Sequence, residues 1–123
     1  MDQSSRVIVG REVVAELQRE MFSFFAVLWV REEDEQRWQL WVVPRTYNGS
    51  REFYTVMSRV LANLRKRSVA LDISDVRPIE PNSSVAIGLR RYGRVRPDFP
   101  VRLYSTNLEG YYVGEGLLLY HDS

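Results

Sequence analysis

The chain has 123 residues, a formal net charge of +1 and no cysteine. That length holds one domain rather than two, and a domain of this size buries about 65% of the surface its unfolded chain exposes, so it needs no cross-links. The lack of cysteine excludes disulfides, thiolate metal sites and a cysteine nucleophile, and 45% apolar with 27% charged residues excludes collagen-like and intrinsically disordered chains.

The first residues, Met1 to Arg6, lack the charged-then-apolar order of a secretory signal. Residues 1–8 and 121–123 are expected to fray. Val13, Val14, Leu17 and Met21 recur at the 3.6-residue period and predict an amphipathic helix over 9–20. Phe22 to Val30 would continue that stripe or form a buried strand. Its aromatic and β-branched content favours the strand, and Arg37 to Val43, stopped by Pro44, offers it a partner. The hairpin tip is the acidic run 32–35. Ser50 is placed to cap a second helix. In that helix Phe53, Val56, Met57, Val60, Leu61 and Leu64 form an apolar stripe, and Arg65, Lys66 and Arg67 suit its negative end.

Val69 to Val76 alternates apolar and polar residues and predicts a strand. Ser83 or Ser84 caps a short helix running to Tyr92 and closed by Gly93, with a strand through Val85 to Ile87 as the competing reading. Val101 to Ser105 and Tyr111 to Tyr120 are two closing strands. The fold class is α+β: a single domain over 1–123, with a largely antiparallel sheet packed by two main helices and one short helix.

Chemistry is sparse. His121 is the only histidine, beside Asp122 near the end, and reads as a solvated tail residue. Gly114-Glu115-Gly116 is no phosphate loop and reads as a bend or bulge in a strand. Asp72, Asp75 and Glu80 are the best carboxylate cluster for an enzyme. On a strand, however, Asp72 and Asp75 point to opposite faces, and Lys66 stands elsewhere. No catalytic residue, metal ligand or cofactor is assigned, and the balance is against an enzyme.

Two surfaces remain as binding candidates. If Val30 lies opposite Trp38, both faces of the hairpin are apolar, and Phe25, Val27, Trp29 and Trp41 share one of them. Were both helices on the other face, these four would form an exposed aromatic patch for a second copy or another protein. The leading expectation is therefore a non-catalytic interaction module, a homodimer through that face. The alternative is single-stranded nucleic-acid or anion binding by Arg90, Arg91, Tyr92, Arg94 and Arg96. The stretch 90–102 carries five arginines against one acid. The longest apolar run, Met21 to Val30, is far short of the ~20 residues a membrane helix needs, so a cytoplasmic protein without membrane association is expected.

Overall fold

The computed structural model describes residues 1–32 and 34–122. Helix α1 spans Gln3–Arg19 and begins earlier than the apolar stripe announces. The Asp2 carboxylate accepts the backbone N–H of Ser5 at 2.8 Å and caps the first turn, so the chain is ordered into helix where fraying was expected. The same bond holds the Asp2 carboxyl below its usual range.

Strands β1 (Phe24–Arg31) and β2 (Gln39–Pro44) form the expected hairpin in a different register. Leu28 faces Trp41 and Trp29 faces Leu40, one residue away from the pairing of Leu28 with Leu40. A one-residue slip exchanges the two faces of a strand, so Trp29 and Trp41 lie on opposite faces instead of sharing one.

Helix α2 spans Ser50–Lys66 and buries the stripe from Phe53 to Leu64 as its periodicity predicts. Ser50 is its first residue rather than its cap. Gly49 precedes the helix and no side chain closes it. The strand expected over 69–76 is absent except at its end. The Asp72 carboxylate accepts the Ser74 N–H at 2.9 Å and turns Ile73–Asp75 into a 3-10 helix, a local bond that competes with strand pairing. Only β3 (Val76–Pro78) enters the sheet, parallel to β2.

Helix α3 (Ser84–Leu89) is capped by the Ser83 hydroxyl, which accepts from Ala86 N–H. A 3-10 turn over Arg90–Tyr92 follows and ends at Gly93, whose φ is 61°. The chain closes with the antiparallel hairpin of β4 (Val101–Leu108) and β5 (Tyr111–His121).

The five strands run in the order β3-β2-β1-β5-β4, antiparallel except for β2 with β3. With the three helices this is an α+β domain. α1 and α2 cover one face through Val13, Leu17, Trp29, Leu40, Met57 and Leu64. On the other face α3 packs over Leu28, Trp41, Leu103 and Leu118. Helices on both faces explain why the central strands are apolar throughout. No helix among the described residues is long and apolar enough to cross a membrane.

Candidate functional site

Two irregularities in the sheet shape a cavity of about 300 Å³ between α3 and the adjoining ends of β1, β2 and β5. In β1, Phe24 pairs with Pro44 and Ala26 with Val43, which leaves Phe25 without a partner on β2. In β5, Tyr120 pairs with Val27 and Leu118 with Leu28, which leaves Leu119 without a partner on β1. Each is a β-bulge, and a bulge interrupts the strict alternation of side chains. As a result Phe25 and Ala26 both turn toward α3. Leu119 and Tyr120 both turn toward α1 and α2. The next residue, His121, therefore comes round to the α3 side and lines the cavity with Phe25, Ala26 and Val43. Pro81, Ala86 and Leu89 line the side opposite the sheet, and Arg90 completes the wall.

His121 is the largest departure from the sequence reading. It is the last residue of β5 and 2% exposed, not part of a solvated tail. Its backbone exchanges two hydrogen bonds with Val95, at 2.9 and 3.0 Å, which hold the strand end in place. Its Nδ1 stands 2.6 Å from the carbonyl oxygen of Gly93. A carbonyl can only accept, so Nδ1 carries the proton and donates, and in the neutral ring Nε2 presents a lone pair. Among the described residues Nε2 has no hydrogen-bond partner, yet no sealed side-chain nitrogen or oxygen lacks one. Nε2 is therefore not sealed in the interior, and the His121 ring lines the cavity.

Three guanidiniums surround this end of the molecule. Arg45 lies over the Phe25 ring, 4.2 Å from its centroid, and donates to the Asp122 carbonyl at 3.0 Å. Arg96 donates to the His121 carbonyl at 3.1 Å and pairs with the Asp122 carboxylate at 3.4 Å. Arg90 is exposed and makes no ion pair or side-chain hydrogen bond among the described residues. Of the three, Arg90 alone lines the cavity, while Arg96 lies 4.6 Å over the Tyr120 ring on the α1 and α2 side.

The residues singled out from sequence are dispersed. Trp29 and Val27 lie in the core under α1 and α2, Trp41 in the core under α3, and both tryptophans are 2% exposed or less. Self-association through these side chains would have to open one core or the other. Phe25 alone of the four reaches the cavity. Each sheet edge is interrupted at one point. β3 ends in Pro78, and at the middle of β4 the Tyr104 N–H and carbonyl are both engaged by the Thr106 hydroxyl, at 3.1 and 3.2 Å.

The arginine stretch is divided in the same way. Arg90 reaches the cavity, Arg96 is committed as above, and Arg91 donates to the Asn107 carbonyl at 2.7 Å while covering the Tyr92 ring. Arg94 and Arg102 are exposed and unengaged beside Arg90 among the described residues, but Arg91 and Arg96 are committed, so the stretch does not act as one basic stripe. The carboxylates do not converge either. Asp72 caps the 3-10 helix, Asp75 pairs with Arg37, and Glu80 is exposed ahead of α3. No group of three His, Asp or Glu that could hold a metal occurs among the described residues. In the acidic run, Glu32 accepts from the Tyr111 hydroxyl at 2.7 Å, and Glu33 lies outside the described residues. Comparison with protein-family models, with curated proteins and with solved structures finds nothing that matches this chain.

Proposed function

We propose that this chain is a non-catalytic binding module whose ligand occupies the cavity between α3 and the bulged ends of β1 and β5. The observation that carries this reading is His121, whose ring two bulges bring to the wall of a cavity that is apolar apart from it and Arg90. A ring nitrogen beside the space can hydrogen-bond whatever fills it. Ligand sites range over ~300–1,000 Å³ and combine apolar walls with a few placed polar groups. At about 300 Å³ this one fits a small molecule.

The lining supports binding over chemistry. Apart from His121 and Arg90 it consists of Phe, Ala, Val, Pro and Leu side chains among the described residues. The imidazole thus has no hydroxyl or carboxyl neighbour there to activate, and its Nδ1 is oriented by a carbonyl rather than by a carboxylate.

A neutral apolar probe tests the reading. Octanol should shift the ring signals of His121 saturably in an NMR titration. Ala86→Leu, which fills the space from α3, should abolish that response and leave thermal stability at or above that of the parent chain. No saturable shift with octanol or with any other small apolar alcohol would refute the site.

A further inference from the structure

We infer that the ligand is an amphipathic monocarboxylate, its apolar body in the cavity and its head held between Arg90 and His121 Nε2. This rests on the cavity reading and adds the chemistry of the head group.

The walls fix the body. Phe25, Val43, Pro81, Ala86 and Leu89 offer nothing but apolar contact, so whatever fills the space must be largely hydrocarbon. The polar contacts are two. Arg90 is a guanidinium without a partner among the described residues, and its planar fork matches the two oxygens of a carboxylate. His121 Nε2 is the other. Charge selects the sign of the head: Arg90 is the one ionic side chain among the described residues that line the cavity. An ammonium head would be repelled, and a neutral head would gain nothing from Arg90. A phosphate dianion would need more donors than one guanidinium and one ring nitrogen. The N-terminus of α3 supplies none, because Ser84 and Val85 do not line the cavity.

A carboxylate and a neutral Nε2 are both acceptors, so they meet only with a proton between them. With Nδ1 held by the Gly93 carbonyl, Nε2 is the ring position that carries this proton in the complex.

Octanoate, octanol and octylamine share one chain and differ in the head. Titrating each into the intact protein, with the His121 ring signals as reporter, separates the two layers of the inference. Octanoate should bind on the order of tenfold tighter than octanol, the size of one charge-assisted pair, and octylamine weakest. Arg90→Gln, a change at an exposed side chain, should lower octanoate affinity about tenfold more than octanol affinity and so remove the preference. Equal binding of octanoate and octanol, or a preference that survives Arg90→Gln, would overturn the carboxylate assignment while leaving the cavity as a site. Failure of all three to move the His121 signals would overturn the cavity reading itself.

Discussion

Replacing Gly88 by alanine tests how α3 is held against the sheet. A Cβ built on Gly88 would stand 2.7 Å from both Cα and Cβ of Leu108 and 2.9 Å from its carbonyl carbon. Two of those three atoms are backbone, so no rotamer change relieves the contact. Helix propensity pulls the other way, since alanine is favoured over glycine by about 1 kcal/mol inside a helix. Forcing a methyl into a packed contact costs about 1–3 kcal/mol, and a backbone neighbour puts Gly88 at the upper end. The net expectation is a loss of about 2 kcal/mol, or a fall in Tm of roughly 6–10 °C for a domain of this length. Thermal and urea denaturation followed by circular dichroism measure it directly. Because Ala86 and Leu89 ride on the same short helix, octanol binding should fall in the same variant. A Gly88→Ala protein as stable as the parent would refute the close seating of α3 on β4, and with it the position of the cavity's wall.

Leu61 is 2% exposed on the apolar stripe of α2, so Leu61→Ala should cost about 2–5 kcal/mol in urea denaturation; a change below about 0.5 kcal/mol would contradict the packing. Burial, followed by its hydrogen bond to Glu32, pushes the Tyr111 hydroxyl from the ordinary value of 10.0 up to about 12. The folded state thus holds this proton more tightly than the unfolded chain does. Its stabilisation is complete below pH 10 and is lost as pH rises through about 12. A phenolate absorbance titration should show a late component that Tyr111→Phe removes, and titration of every tyrosine near 10 would contradict this. Iodide should quench Trp38, which is half-buried, and spare Trp29 and Trp41 at concentrations where sedimentation shows a monomer. Quenching of either buried tryptophan there would contradict the covered sheet.

The parts of the fold legible in the sequence are those set by period and by caps. The stripe of α2 needs only 3.6-residue spacing, and the run from Phe24 to Val30 needs only continuous apolarity. The Ser83 cap and the Gly93 stop of the α3 segment follow from single residues. Register was not legible. Both faces of the β1–β2 hairpin are apolar, so no pattern penalised the one-residue slip that separates Trp29 from Trp41. Alternation from Val69 onward misled because an Asp72 side-chain bond outcompetes pairing when only a short stretch reaches an edge. The cavity was hidden for the same kind of reason. Bulges at Phe25 and Leu119 leave no mark in the residue pattern, and together they decide which way His121 points. One signal was present: the apolar run Leu117 to Tyr120 continues up to His121 without a turn residue, which fits a strand that carries its histidine inside rather than a frayed end.

The only histidine of the chain is also its most direct reporter. A long-range nitrogen–proton NMR spectrum of the ligand-free protein reads the state of that one ring. The geometry requires a proton on Nδ1, held by the Gly93 carbonyl, with signals that move saturably as octanoate is added. A freely solvated imidazole, its proton mainly on Nε2 and its signals indifferent to octanoate, would contradict the site.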